Sequence, residues 1–196
     1  MAAVVQSLNA LKKEHAPVLL AGYSMGGGVA LAATAHINPD ALILMAPFWK
    51  TSGWFWNAMP LVKIIFPKIR PFKTFRMNLS DPQTRQGLGN FMPGVDLDDP
   101  QVQSAVREFT FPLRIMDEVR QVGRVARQAA PRATMPTLVL QGSRDSWVTP
   151  RATRQLLQAL PGLLTYVEIS AEHDLLDPHK PAWGRVVDSI LSFVNL

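Results

Sequence analysis

Gly22-Tyr23-Ser24-Met25-Gly26 has the G-x-S-x-G spacing of a nucleophile elbow, a sharp strand-to-helix turn that lifts a serine hydroxyl above a sheet. A serine hydroxyl attacks a carbonyl only when a base takes its proton, and the base needs a carboxylate to orient it. Both follow in the chain. His173 lies in Glu172-His173-Asp174, directly after an apolar run, and Asp145 closes Gly142-Ser143-Arg144-Asp145, directly after another. His15 and His36 fall near helix ends and His179 in a proline-bounded loop, so His173 is the expected base. Asp145 is the favoured acid, ahead of Asp174, Asp177 and Glu172, because a sequence neighbour of the histidine usually points elsewhere. The amide of Met25, at the start of the next helix, can face the negative oxygen of a tetrahedral intermediate. The motif glycines read as a steric requirement of the turn, with Gly26 and Gly27 also letting the following helix pack closely. His173, Asp174 and His179 lack a recognised zinc spacing, and no metal site is expected there.

The elements that would position these groups can be read from the apolar pattern. Residues 2–14 carry Val4, Leu8 and Leu11 at helical spacing, and Pro17 stops the helix. Val18-Leu19-Leu20-Ala21 reads as a buried strand, running into the glycine-rich turn and then a helix of small residues ending near Asn38-Pro39-Asp40. A second strand is expected at 41–45, a third at 137–141 and a fourth at 165–169. A helix opened by Pro150 lies between the last two, and an amphipathic helix at about 181–194 closes the chain. From Phe48 to Arg132 the sequence is rich in proline and aromatics, then helical, with no convincing strand. The expectation is an α/β core, residues 1–47 and 133–196, with a mostly parallel sheet and a helical lid insertion at 48–132. Serine, acid and base would then all meet at the carboxyl edge of the sheet.

With 196 residues and 47% apolar content the chain can bury a real core. It has no cysteine, which excludes disulfides, thiolate metal sites and thiol nucleophiles. The first residues carry no basic n-region, and no segment approaches the roughly 20 apolar residues of a membrane span, so a soluble cytoplasmic protein is expected. The net charge of +5 comes without an RNP, zinc-finger or helix-turn-helix signature, and no nucleic-acid partner is expected. The positive charge is local: residues 41–80 hold Lys50, Lys63, Lys68, Arg70, Lys73 and Arg76 and no Asp or Glu.

The segments Gly22 to Gly27, Gly142 to Asp145 and Glu172 to Leu176 resemble the three catalytic segments of the α/β-hydrolase superfamily. The helical insertion is similar to the lid of its monoacylglycerol lipase, lysophospholipase and carboxylesterase group. This resemblance implies Ser24 as nucleophile, Asp145 as acid, His173 as base, the Met25 amide as an oxyanion donor, and no cofactor. Dehalogenase and epoxide hydrolase relatives carry Asp where this chain has Ser24. Family members also have several strands before the elbow, including a His-Gly segment that gives a second oxyanion donor. That segment is not in this sequence, and losing one such donor typically costs about a hundred- to thousandfold in turnover. The first strand would then lie at a sheet edge, which invites pairing, and a homo-oligomer that covers it is expected.

The expected reaction is hydrolysis of a carboxylic ester with an apolar acyl or aryl group, through an acyl-serine. The rival is a catalytically weak or inactive hydrolase-like domain that binds a ligand or partner. Tyr23 and Trp147, next to the triad in sequence, and Trp49, Trp54 and Phe55, in the aromatic start of the insertion, are the expected substrate-binding residues. Aromatics interleaved with cations between Phe48 and Phe75 have two readings: internal packing with a solvated basic face, or a surface that meets lipid-like esters at a membrane-water boundary.

Overall fold

The computed structural model describes residues 1–50, 54–74, 78–91 and 94–195. In chain order these form α1 (Ala2–Glu14), β1 (Leu19–Tyr23), α2 (Met25–Ala33), β2 (Ala41–Met45), α3 (Trp54–Ile65), β3 (Lys68–Ile69), α4 (Pro71–Thr74), α5 (Pro82–Phe91), α6 (Pro100–Glu108), β4 (Phe111–Pro112), α7 (Leu113–Ala129), β5 (Thr137–Gly142), α8 (Pro150–Leu157), β6 (Leu164–Ile169) and α9 (Trp183–Val194). They fall into two units: Met1–Ser52 with Val119–Leu196, and Gly53–Glu118. Residues 48–50 and most of α7 group with the sheet. The Phe48 amide bonds the Ser24 carbonyl, and Gly123 of α7 leaves room for the Lys50 backbone.

In the first unit the four apolar runs make one parallel sheet in the order β1-β2-β5-β6. Parallel strands joined by crossover helices are covered on both faces, which is why β5, between β2 and β6, is buried at all six positions. Side chains alternate between the faces with the two-residue strand period. Leu42, Leu44 and Val139 meet α2, α7 and α8 through Ala30, Leu31, Ala126 and Leu156. Ile43, Met45, Leu138 and Leu140 meet α9 through Val186, Ile190 and Phe193. Within this chain β1 forms one edge of the sheet and β6 the other. At the entry to β1, the Asp40 carboxylate accepts the Val18 amide at 2.7 Å and pairs with Lys12 of α1 at 2.9 Å.

The second unit is helical with a small core of Leu79, Leu88 and Val106, joined by Phe72, Leu97 and Val102. Asp99 caps α6 by accepting the Gln101 amide at 2.7 Å, with Pro100 in the first turn where its missing N–H is harmless. One detail departs from the sequence reading. Lys68 and Ile69 pair antiparallel with Pro112 and Phe111, a two-residue ladder where no strand was expected. Pro112 has no N–H to extend it. Among the described residues no helix is long and apolar enough to cross a membrane.

Candidate active site

β1 stays paired with β2 up to Tyr23 opposite Met45, and the chain then turns at once into α2. Ser24 takes φ 52° and ψ −120°, a conformation that a side chain rarely adopts and that persists only where its surroundings enforce it. Four backbone hydrogen bonds do so. The Ser24 N–H donates to Met45 O at 2.9 Å, and the Ser24 carbonyl accepts from Gly27, Gly28 and Phe48 at 3.0, 3.3 and 2.9 Å. Ala46, at the exit of β2, is also left-handed, with φ 43°. The glycines divide sharply. A Cβ on Gly22 would lie 2.4 Å from the Gly26 carbonyl oxygen, and one on Gly28 would lie 2.1 Å from the Phe48 oxygen. On Gly26 it would meet nothing within 4 Å. The expectation that Gly26 is there for close packing is therefore corrected: its carbonyl is the wall that makes Gly22 obligatory, while its own Cα faces open space.

Asp145 and His173 arrive on the loops that leave β5 and β6. His173 Nε2 lies 2.9 Å from Ser24 Oγ, and His173 Nδ1 lies 2.7 Å from Asp145 Oδ2. The structure thus brings together three residues separated by as many as 149 positions. The two loops are stitched to each other: Ser143 N–H donates to Ile169 O at 2.8 Å and Arg144 N–H to Ala171 O at 2.9 Å. The Asp145 side chain is fully buried, and its Oδ1 accepts the amides of Trp147 and Val148 at 2.8 and 2.9 Å. Burial pushes its carboxyl up, but the His173 hydrogen bond, the Val148 and Trp147 amides and the histidine's charge outweigh this and hold its pKa below the ordinary carboxylate value. Asp174 points elsewhere, to Lys180 at 3.2 Å.

The expected substrate residues have varied fates. The Tyr23 hydroxyl donates to the His173 backbone carbonyl, and its ring centroid is 5.2 Å from the imidazole. Burial, then the nearby Asp145 and Asp174 charges, push the Tyr23 phenol up, so it stays a donor. Trp147 stacks on His173 with centroids 5.7 Å apart and planes 14° off parallel, and 61% of it is exposed. Trp49 is a correction: it is buried in the cluster with Leu31, Leu42 and Leu156, its indole N–H donating to Ala152 O at 2.9 Å, and it does not line the triad. The side chains of Trp54 and Phe55 lie outside the described residues. Met25 is the first residue of α2, so helix geometry gives its amide no intrahelical acceptor. One residue was missed. Gln141 is fully buried at the end of β5 and its amide lies 3.3 Å from Asp145 Oδ2. The only sequence signal was a polar residue ending an apolar run. Among the described residues no group of three or more His, Cys, Asp or Glu side chains could hold a metal.

This arrangement can move a proton from a hydroxyl to an imidazole that a buried carboxylate orients. The comparisons agree with the fold that carries it. The family model described as Hydrolase_4, serine aminopeptidase S33, matches residues 1–176. The rat (Rattus norvegicus) monoglyceride lipase is 27% identical over 98% of this chain, and the chain spans 62% of that relative's length. Solved structures of monoglyceride lipase from Saccharomyces cerevisiae (TM-score 0.61, 17% identity) and of monoacylglycerol lipase from Paleococcus ferrophilus (TM-score 0.61, 14% identity) each align with 100% of this chain. They are covered to 70% and 76% of their own lengths, and they share with it the α/β-hydrolase fold. By this match over most of its length, the chain belongs to the Hydrolase_4, serine aminopeptidase S33, family.

Proposed function

We propose that this protein is a serine hydrolase that cleaves carboxylic esters of apolar acyl groups through an acyl-serine. The observation that carries the reading is the continuous line Ser24 Oγ, His173 Nε2, His173 Nδ1, Asp145 Oδ2, at 2.9 and 2.7 Å. A carboxylate that can only accept places the imidazole proton on Nδ1 and leaves the Nε2 lone pair facing Ser24. Ser24 attacks the ester carbonyl as His173 takes its proton. The Met25 amide stabilises the oxyanion, and His173 returns the proton to the departing alcohol. Water, deprotonated by His173, then releases the acid. Amide bonds are open to the same parts, and the family description includes an aminopeptidase, so the alcohol or amine leaving group is a matter for assay.

The apolar preference rests on the helical unit. Leu61, Ile64, Ile65 and Phe66 at the end of α3 are 58–73% exposed, beside the cationic Lys68 and Arg70. Such a cluster suits the boundary of a lipid surface. We also propose a homo-oligomer that covers the β1 edge, which light scattering at micromolar concentration tests: a monodisperse monomer rejects it.

A fluorophosphonate probe tests the catalytic reading. Stoichiometric labelling is expected for the wild type and none for Ser24→Ala or His173→Ala. Folded wild-type protein that does not label supports the rival reading, a binding module without catalysis. Nitrophenyl esters of rising chain length, run beside an aminoacyl nitroanilide, test the substrate class: activity confined to the acetate or to the anilide overturns it. Sedimentation with phospholipid vesicles tests the surface, with Ile64→Asn combined with Ile65→Asn expected to reduce binding.

A further inference from the structure

The buried amide of Gln141 is not explained by the fold. An amide in an apolar strand costs free energy unless each polar atom is matched, and a leucine there, on the α8 face that Val139 shares, would carry no such cost. Its surroundings are specific. Around Nε2 lie three atoms that can only accept: Val148 O at 2.9 Å, Gly142 O at 3.1 Å and Asp145 Oδ2 at 3.3 Å. Around Oε1 lies the hydroxyl of Thr153 on α8, itself fully buried, which donates to it. Turning the amide over would set a carbonyl oxygen against two carbonyls and a carboxylate, so the chemistry of the neighbours fixes its orientation.

Asp145 Oδ2 is the same oxygen that accepts His173 Nδ1–H. With the Gln141 NH2 also 3.3 Å from it, its two hydrogens shared among three acceptors, and the Trp147 and Val148 amides on Oδ1, four donor groups surround the carboxylate. A proton on Oδ2 would point at another N–H. The same amide donates to the carbonyl of Val148, a residue whose backbone N–H is one of those donors, so it ties the loop's far end to β5.

We propose that Gln141, locked by Thr153, is the positioning residue that keeps Asp145 an acceptor-only carboxylate aimed at His173; this rests on the triad reading above. Gln141→Met retains length and volume but removes both polar atoms. Thr153→Val removes only the lock. Three measurements are compared: kcat and KM on a nitrophenyl ester, the thermal melt, and the far-downfield proton resonance of His173 Nδ1–H. Gln141→Met is expected to lower kcat about tenfold with KM unchanged, the loss of one hydrogen bond to a charge, and to shift or broaden the resonance. Thr153→Val is expected to do the same about threefold, with Gln141 still present. Folded Gln141→Met with wild-type kcat and an unmoved resonance overturns the proposal. Should that variant not fold, an unmoved resonance and unchanged kcat in Thr153→Val overturn it equally. A wild type that neither labels with fluorophosphonate nor shows the resonance rejects the triad reading, and this proposal with it.

Discussion

The loops at the carboxyl ends of β1, β5 and β6 and the helical unit Gly53–Glu118 treat polar and apolar groups in opposite ways. Around Ser24 the polar groups are buried and matched: Asp145, Gln141 and Thr153 are each less than 4% exposed and each is hydrogen-bonded. In the helical unit the ion pairs Arg70–Glu108, Lys73–Glu108 and Arg85–Asp98 stand in solvent, and four large apolar side chains at the end of α3 do as well. The first region commits its polar groups to one another. The second leaves its surface available. Substitutions should therefore cost much in the first and little in the second, unless they strike a buried partner.

The largest effects are expected at the triad. Asp145→Asn should lower kcat/KM about a thousandfold or more, since an amide no longer forces the imidazole proton onto Nδ1, while Asp174→Asn stays within about threefold. Equal losses at the two positions would rule out Asp145 as the one orienting acid. Next come the two motif glycines. Gly22→Ala should destabilise the fold by about 3 kcal/mol or prevent folding, because the clash is with backbone. Gly26→Ala should melt within a few degrees of wild type, or higher, because it adds a helix former in open space. Thermal denaturation of the pair separates steric need from motif membership.

Smaller effects belong to ion pairs. Asp117, buried in α7 against Lys63 of α3, is the exception to the open character of the helical unit. Asp117→Asn should cost about 1–2 kcal/mol in urea unfolding, whereas Glu108→Gln, at an exposed pair, should cost less than about 0.5. Smallest is the cap on β1. The Val18 amide, then Lys12, hold the Asp40 carboxyl below its ordinary value. A lowered folded-state pKa gives stability that is present above the unfolded value and lost as pH falls through the folded one. The melting difference between wild type and Asp40→Asn should accordingly be present at neutral pH and vanish in acid; a difference that grows on acidification contradicts the assignment.

Much of this was legible in the chain. Ser24, Asp145 and His173 each follow an apolar run, so parallel pairing was enough to bring them to one edge of the sheet. Trp49 was not legible, because the cluster that buries it is assembled from distant elements and the acceptor of its indole N–H, the Ala152 carbonyl, is 103 residues away. Tyr23 looked like a substrate residue through adjacency to Ser24, yet its hydroxyl is committed to the His173 carbonyl. Gln141 reads as a strand's polar end, because its partners Asp145, Val148 and Thr153 lie on the following loop and helix. Local pattern located the elements; long-range partners assigned the roles.

The two left-handed residues at the elbow have a consequence for motion. Ser24 and Ala46 sit at the exits of neighbouring strands and are linked on both sides, Ser24 N–H to Met45 O and Phe48 N–H to Ser24 O. These bonds tie the two turns together, so the elbow is expected to open as one unit. Amide hydrogen exchange at Ser24, Ala46 and Phe48 should then follow a single opening free energy, close to that of the whole sheet, and respond alike to denaturant.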